Sequence, residues 1–238
     1  MRLQVKLIQL ATILLVTILS ATHAAGGDGR AFSSVWRGSA RIVNGSGFVC
    51  HETDTDYYLM TCAHVVYNEK RGSYYNRFPT HFNYAGYTSQ TFYPELVFSH
   101  HDINYRIASR RLDDVAILKL AKANFLGHYP PPKVLRLDGK GVAEKGDEYF
   151  LAGRYILRGG TNFTVTYKGL IWDVDAERGH FTCNFKGWGG LSGAPVVNAE
   201  GELIGMHTSW EPDGKFGFCI DTARIRKIIE DEDTERFD

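Results

Sequence analysis

The chain has 238 residues, 44% of them hydrophobic and 13% aromatic, which is enough apolar material for a sizeable core and excludes a disordered chain. Lysine and arginine together number 27, and aspartate and glutamate also number 27. Because this balance leaves no net charge to attract the phosphate backbone, we expect no nucleic-acid partner.

A basic start followed by an apolar run opens the chain. Arg2 and Lys6 precede an apolar stretch at residues 7–19, and small residues follow up to Ala24. An apolar run of roughly 7 to 15 residues between such flanks is typical of a signal peptide. The alternative is an uncleaved membrane anchor, although the run is shorter than the ~20 residues that a span requires. We therefore expect residues 1–24 to direct secretion or export to the periplasm, leaving a mature protein without a membrane segment.

Short strands separated by turns follow a leader at residues 25–34, which we expect to be flexible because it is rich in glycine. From residue 35 onward, short apolar or alternating runs are broken by Gly, Asn, Asp and Pro, which favours strands over helices. Residues 47–50 and 57–61 flank a polar turn and predict a β-hairpin. Further strands are predicted at residues 96–98, 115–118, 149–152, 163–166, 194–197 and 203–207. The sequence therefore predicts an all-β fold.

Two titratable residues adjoin strands in the first half of the chain. His64 follows a buried strand within the run 59–66, and Asp114 opens the apolar strand 114–120. A desolvated carboxylate at a strand entrance is suited to orient a histidine, but the neighbouring Asp113 competes for that role. The alternatives are a packed, hydrogen-bonded histidine and a strand-capping aspartate.

Three consecutive prolines, at residues 130–132, interrupt the pattern near the middle of the chain. Proline neither donates a hydrogen bond to a sheet nor continues a helix. We therefore expect a linker here, with one β-domain over residues 35–129 and a second over residues 130–238.

A glycine-rich loop surrounds Ser192. Residues 189–195 read Gly-Gly-Leu-Ser-Gly-Ala-Pro and precede a predicted strand. Glycine allows a sharp backbone turn that exposes the hydroxyl and points nearby N–H groups at a developing oxyanion. The N–H groups of Gly190 and Ser192 are the candidate oxyanion donors, and an ordinary polar β-turn is the alternative.

A single helix is predicted, at the C-terminal end of the chain. Asp221 or Thr222 can cap a helix over residues 223–230, which carries its isoleucines on one face.

The chain has four cysteines, Cys50, Cys62, Cys183 and Cys219. Export permits disulfides, and four cysteines allow three pairings. Cys183 and Cys219 lie in strand-like runs and could be neighbours, while free buried thiols are equally consistent with the sequence. Since no spacing matches a zinc motif, we expect no metal.

His64, Asp114 and Ser192 occur in the order, and at the motif types, that activation of a serine nucleophile requires. The motifs are Gly-Ser-Gly-Phe-Val at 45–49, Thr-Cys-Ala-His-Val-Val at 61–66, Asp-Val-Ala-Ile-Leu at 114–118 and Gly-Leu-Ser-Gly-Ala-Pro at 190–195. On these motifs the chain resembles the trypsin/chymotrypsin-like serine peptidases over residues 35–230. It is more similar to the bacterial branch, which includes HtrA-type proteases and the staphylococcal glutamyl endopeptidase.

The resemblance implies a chymotrypsin-like fold of two six-stranded antiparallel β-barrels, the first holding His64 and Asp114 and the second Ser192. It also implies a serine endopeptidase that acts on polypeptides, in which His64 deprotonates Ser192 and later protonates the leaving amine. Asp114 would accept the other imidazole N–H and fix the tautomer. We expect a monomer that needs no cofactor.

Two related interpretations do not fit. An α/β-hydrolase esterase requires Gly-x-Ser-x-Gly and the chain order Ser, Asp, His, and neither is present. The segment 41–45 looks like the activation cleavage site of trypsin-type zymogens, but Ile42 lies only 22 residues before His64, about half the family's spacing. Leu191 also replaces the aspartate that pairs with a new N-terminus in those zymogens, so we expect no such activation.

His207 follows Ser192 by 15 residues in the segment Gly-Met-His-Thr-Ser-Trp. In glutamyl endopeptidases, and in the related picornaviral cysteine proteases that cut after Gln, a histidine at the matching place lines the P1 pocket. The resemblance therefore implies a preference for Glu or Gln at P1, with Thr208, Ser209 and Trp210 pairing with substrate backbone.

Two observations weaken this preference. Gly187 stands where those relatives have a threonine, although Lys186 could supply positive charge instead. The alternative is that His207 is a packed strand residue and the pocket takes small apolar side chains. A catalytically silent peptidase fold that acts as a binding module is the alternative to an enzyme.

Overall fold

The structure is a computed structural model that describes residues 28–82, 90–101, 113–125, 131–139, 141–156, 162–185, 189–211 and 215–232. The predicted signal peptide and Lys186 lie outside these residues. The helices are α1 (Asp28–Gly38), α2 (Ala63–Val66) and α3 (Thr222–Glu232), with a short 3-10 turn at Lys122–Asn124. The strands are β1 (Ser39–Ile42), β2 (Gly45–Glu52), β3 (Asp56–Thr61), β4 (Tyr67–Asn68), β5 (Ser73–Tyr74), β6 (Thr80–Phe82), β7 (Glu95–His101), β8 (Asp114–Ala121), β9 (Glu148–Ile156), β10 (Asn162–Asp175), β11 (His180–Cys183), β12 (Pro195–Val197), β13 (Leu203–Trp210) and β14 (Gly217–Asp221).

Six strands of the first half form one antiparallel sheet in the order β6-β1-β2-β3-β8-β7. The predicted hairpin is present as β2 and β3, which pair with Phe48 opposite Met60 and Val49 opposite Leu59. Its turn is closed by a hydrogen bond from Thr53 N to Asp56 O of 2.9 Å. These strands are buried over consecutive residues, 45–50 in β2 and 114–118 in β8, so both faces of the sheet are covered there.

The second half forms a closed barrel in the order β10-β11-β14-β13-β12-β9. The long hairpin of β9 and β10 is continuous in register from Ile156 opposite Asn162 to Glu148 opposite Leu170. Large side chains that include Tyr149, Ile171 and Phe181 fill this half. The structure therefore confirms the prediction of an all-β, chymotrypsin-like fold with a helix at its C-terminal end.

The predicted flexible leader is corrected for residues 28–34, which belong to helix α1. Ala31 and Val35 are 0% exposed and Ser34 is also buried, so one face of the helix is covered. The helix packs on β9 and β12 of the second half, with the Phe32 ring 4.9 Å from that of Phe150. This contact supplies the burial that a short helix needs to be stable.

Residues 131–139 run between the two halves and contact both α1 and the first sheet. Lys133 N donates to Arg37 O at 3.1 Å, and Leu135 N donates to Val49 O at 2.8 Å. The segment after the prolines is therefore a packed connection.

The C-terminal helix α3 begins as predicted. Asp221 Oδ1 accepts a hydrogen bond of 2.7 Å from Arg224 N, which is the arrangement of an N-cap residue and the third helical residue. Ile225 and Ile228 on this helix are buried in a core cluster that residues of both halves share.

Ile42, in the segment that resembles an activation site, is buried at the end of β1, where it pairs with Gly45 of β2 and Thr80 of β6. Among the described residues, no helix combines the length and apolar character that a membrane crossing demands.

Candidate active site

His64 is presented by the single-turn helix α2, which buries Ala63, Val65 and Val66. The histidine side chain is the partly exposed member of this turn, at 17%. The turn packs against β7 and β8, so a short break after strand β3 places the imidazole beside the start of β8.

Asp114, at that start, holds His64 by two hydrogen bonds. Its Oδ1 accepts from the His64 backbone N at 3.0 Å, and its Oδ2 lies in a very short hydrogen bond with His64 Nδ1. The carboxylate side chain is only 3% exposed. A buried carboxylate that fixes both backbone and ring of a histidine determines the ring orientation and directs the Nε2 nitrogen away from itself.

From the sequence, either Asp113 or Asp114 could be the residue that orients His64. The structure places Asp113 on Arg224, at 3.0 Å and 2.5 Å, and places Asp114 on His64. Asp113 lies at a bend just before β8 and is bonded to Arg224, whereas Asp114 begins the strand and is bonded to His64.

Ser192 lies in a loop that docks on strand β2 of the first half. Ser46 N donates to Ser192 O at 2.8 Å, and Ser46 Oγ donates to Gly190 O at 2.7 Å while accepting from Arg154 N at 2.7 Å. Gly193 has φ +88°, and a Cβ there would lie 2.1 Å from Ser46 O. The approach of the loop to β2 therefore requires glycine at this position.

The Ser192 loop and the His64 turn meet through shared neighbours. Gly45 lies so close to both that a Cβ on it would be 2.5 Å from a Val65 methyl group and 2.8 Å from Ser192 O. Among the described residues no hydrogen bond joins the Ser192 hydroxyl to His64. Such contacts commonly tighten only when substrate binds.

The predicted oxyanion donors are at the expected turn. Gly190 has φ +100°, a conformation that glycine adopts without strain. Ser192 is 8% exposed, so its environment is largely shielded from water. Among the described residues, the N–H groups of Gly190 and Ser192 donate to no protein acceptor.

His207 is enclosed beneath this site. It is 0% exposed, its ring centroid is 5.0 Å from that of Phe185, and neither ring nitrogen meets hydrogen-bond geometry with a described residue. Burial lowers the pKa of His207 to about 4, against which nearby backbone carbonyls act only weakly. The imidazole is therefore neutral at physiological pH.

The backbone of His207 connects the two parts of the site. Its carbonyl oxygen accepts from Gly193 N at 2.8 Å and from the Cys62 thiol at 3.5 Å, and its N–H donates to Ala194 O at 2.9 Å. Beyond it, Ser209 and Trp210 pair with β14 and with no other described strand. Residues 208–210 therefore leave one edge available for an extended peptide.

All four cysteines are buried thiols that form no disulfide. Cys183 and Cys219 are neighbours, as the sequence allowed, with their sulfur atoms 3.8 Å apart. In the described part of the chain, one group has the spacing of metal ligands: Cys62, His64 and Asp114, within 4.8 Å of one another. The sulfur of Cys62, the Nδ1 of His64 and the carboxylate of Asp114 each take part in a hydrogen bond given above. Such an arrangement is suited to proton transfer.

Sequence reasoning missed the roles of Ser46 and Phe185. Ser46 is 0% exposed and joins the two halves, and the motif Gly-Ser-Gly-Phe-Val was its only signal. Phe185 covers His207 and packs so closely on Gly217 that a Cβ there would lie 2.1 Å from the ring. A lone aromatic residue in a loop carries no periodic pattern that could have revealed this contact.

The chain is similar in fold to solved bacterial proteases. A serine endoprotease from Yersinia pestis matches with a TM-score of 0.63 and 20% identity, over 85% of this chain and 65% of that one. The Rv3671c protease from M. tuberculosis matches in its active form with a TM-score of 0.58 and 21% identity, over 87% and 85% of the two chains. Its inactive form gives a TM-score of 0.55 and 22% identity, over 84% and 91%.

No curated protein matches the chain significantly. The model of the trypsin-like peptidase domain matches residues 45–206, which include His64, Asp114 and Ser192. Since this match covers more than half of the sequence, the chain belongs to the family of trypsin-like peptidase domains, and its function is proteolytic.

Proposed function

We propose that the chain is an exported serine endopeptidase with His64 as general base, Asp114 as its orienting residue and Ser192 as nucleophile. The observation that carries this proposal is the pair of hydrogen bonds from His64 to the buried Asp114 carboxylate. They commit Nδ1 as a donor and leave Nε2 as the nitrogen that can take a proton.

In the proposed reaction, His64 Nε2 removes the proton of the Ser192 hydroxyl as its oxygen attacks the peptide carbonyl carbon. The negative charge that develops on the carbonyl oxygen is stabilised by the N–H groups of Gly190 and Ser192, which have no described protein acceptor to give up. The imidazolium then protonates the leaving amine, and the C–N bond breaks to give an acyl-enzyme. Water, deprotonated by the same histidine, releases the product acid and restores the serine.

The substrate in this proposal is an extended polypeptide. Residues 208–210 have an edge that no described strand occupies, and an antiparallel peptide can add to it through main-chain hydrogen bonds. The scissile bond would then lie beside the Ser192 loop, because His207, the residue before this edge, is hydrogen-bonded to Gly193 and Ala194.

For the P1 residue we propose glutamine, with glutamate accepted less well. His207 is a neutral ring with two unsatisfied nitrogens, so it can donate one N–H to an amide or carboxyl oxygen. A neutral donor offers no positive charge to offset burial of a carboxylate, which favours the uncharged amide. Because Phe185 covers the ring in this structure, a P1 side chain that reaches His207 has to displace Phe185.

Export is part of the proposal on the basis of the basic and apolar residues at 2–19. Sequencing the N-terminus of the protein recovered from the medium or periplasm of expressing cells tests it. A new N-terminus near residue 25 is expected, whereas an intact chain held in the membrane would contradict it.

Digestion of a denatured protein mixture with residues 25–238 tests activity and specificity together. Mass spectrometry identifies each new cut and the residue that precedes it, and Ser192→Ala is the matched control. We expect cuts that only the serine-containing form makes, with glutamine enriched at P1 and glutamate next.

Enrichment of small apolar residues at P1 would assign His207 to packing and contradict the proposed specificity without affecting the proposed mechanism. Cuts made equally by Ser192→Ala would contradict the nucleophile. An absence of cuts in both forms would favour a binding module.

A further inference from the structure

Asp113, the residue before Asp114, is held by two basic side chains of the second half. Arg224 Nε donates to Asp113 Oδ1 at 3.0 Å, and Arg224 Nη2 donates to Oδ2 at 2.5 Å. His180 Nε2 lies 3.5 Å from Oδ1 without hydrogen-bond alignment, which makes it an electrostatic contact. Asp113, His180 and Arg224 are called the Asp113 cluster below.

Arg224 is itself fixed in place. Its backbone N–H is bonded to the N-cap Asp221 at 2.7 Å in the first turn of α3. The chain at Gly179 passes so near that a Cβ there would lie 2.5 Å from Arg224 Cβ. Helix α3 therefore presents a guanidinium fork to the start of β8, a geometry that matches both oxygens of a carboxylate.

The cluster leaves an ionised Asp113 carboxylate beside the Asp114 carboxylate at the entrance to β8. Burial alone would raise the pKa of Asp113, but His180 and Arg224 outweigh that effect and hold the pKa well below its usual range. Asp114, one residue later, carries the hydrogen bonds to His64. Without Arg224 and His180, the Asp113 carboxylate would be a second anion one peptide unit from Asp114. It would then be available to the His64 imidazole.

We propose that Arg224 is a positioning residue that keeps the Asp113 carboxylate away from His64, so that Asp114 alone orients the imidazole. This inference rests on the proposed function of His64 and Asp114. It explains why Asp114 and not Asp113 orients His64, because Arg224, 111 positions after Asp113, holds the Asp113 carboxylate. The charged groups that face Asp113 are Arg224 and His180, and Asp221 and Asp231 act on Arg224.

Steady-state kinetics of three variants test the inference. Arg224→Gln removes the fork, and Asp113→Asn combined with Arg224→Gln removes the competing charge as well. Arg226→Gln is the matched control, because Arg226 lies two residues along the same helix and donates to the Leu137 carbonyl oxygen at 2.9 Å.

We expect Arg224→Gln to lower kcat by roughly tenfold with little change in KM, since small misplacement of a catalytic group can cost up to ~100-fold. The freed Asp113 carboxylate would stabilise imidazolium, so the acid limb of kcat/KM moves to higher pH. The double variant should regain most of the lost kcat, and Arg226→Gln should behave as the parent.

A loss in Arg224→Gln that the second substitution does not restore would overturn the inference, as would unchanged kcat and pH profile in Arg224→Gln. A readout that needs no activity is the low-field proton NMR signal of the His64–Asp114 hydrogen bond, measured in the Ser192→Ala background. It should shift or broaden in Arg224→Gln and return in the double variant. If the parent were no more active than Ser192→Ala, the proposed function would fail while this spectrum still tested Arg224.

Discussion

The His207 imidazole is shielded from water. It is fully enclosed, packs on Phe185, and has a pKa lowered to about 4 by burial. Between about pH 4 and about pH 6.5, His207 is therefore neutral in the folded chain but protonated in the unfolded chain, where its pKa is near 6.5. A single side chain thus links folding to pH.

We predict that His207 makes the fold sensitive to acid. Its contribution is fully present above about pH 6.5 and is lost as the pH falls towards about 4, because the unfolded state binds more protons in that interval. The loss is about 1.4 kcal/mol per pH unit, or roughly 3 kcal/mol in all. Urea unfolding of Ser192→Ala at a series of pH values measures the slope, which His207→Gln should reduce.

His51→Gln, which removes an exposed histidine from β2, is the control for that experiment. Equal slopes in the parent and in His207→Gln would show that the ring is not held neutral.

The sequence predicted the candidate site from residues whose chemistry and whose position next to strands both fit catalysis. The prediction that His64, Asp114 and Ser192 act together remains a prediction about catalysis, although the first two are now seen to be bonded. The sequence could not separate Asp113 from Asp114, because both adjoin the same apolar strand. The direction of the Asp114 side chain depends on the register of β8 with β7, and that of Asp113 on its bonds to Arg224, and both are properties of the folded chain.

At the scale of elements, the Ser192 loop is anchored on strand β2 as well as on its own barrel. Ser46 makes two hydrogen bonds to the loop, one from its backbone N–H to Ser192 O and one from its hydroxyl to Gly190 O. The hydroxyl bridges Gly190 and Arg154, which belong to the second half, from a position in the first.

We predict that Ser46→Ala lowers both stability and activity. It removes two partly buried hydrogen bonds, to Gly190 O and from Arg154 N, which costs about 1–3 kcal/mol in the free energy of unfolding. Loosening of the Gly190 turn should lower kcat by roughly tenfold, because the oxyanion donors are no longer fixed. Urea unfolding and peptide hydrolysis measure the two effects.

Ser99→Ala is the matched control for Ser46→Ala, because the Ser99 hydroxyl is buried yet has no hydrogen-bond partner among the described residues. It should leave kcat unchanged. A Ser46→Ala variant with the kcat of Ser99→Ala would contradict the role assigned to the bridge.

Elements with strong local patterns were predicted well. The β2–β3 hairpin and helix α3 each combine an apolar repeat with a recognisable turn or cap. Helix α1 was missed because its N-terminal residues follow a glycine-rich stretch and its interior contains two serines, which gives no helical signal. Its stability comes from the surface of β9 and β12, which no local pattern encodes.

At the scale of the whole molecule, the two halves are joined by more than the linker. Helix α1 leads into β1 of the first sheet but packs on the second barrel. Helix α3 packs on β13 and β14 of the second barrel and buries isoleucines in a core cluster that both halves share. Both helices therefore help to join the two halves.

We predict that detaching α1 destabilises the entire molecule. Val35→Asp places an unpaired charge at a position that is 0% exposed and should lower the free energy of unfolding by roughly 3 kcal/mol. Thermal unfolding followed by circular dichroism should keep one transition at a lower Tm, because both halves lose their shared contact.

Ser33→Asp, at an exposed position of the same helix, should change stability by no more than ~0.5 kcal/mol. A Val35→Asp variant as stable as Ser33→Asp would show that α1 is not a structural connection.

The distribution of the cysteines has a consequence for how opening can be observed. Two thiols lie buried in each half, Cys50 and Cys62 in the first and Cys183 and Cys219 in the second. An alkylating reagent can modify a buried thiol only in molecules that have transiently opened around it. The alkylation rate of each cysteine, measured by mass spectrometry, therefore reports how often the half that contains it opens. Equal labelling rates would mark a single cooperative unit, and a faster pair would identify the half that opens first.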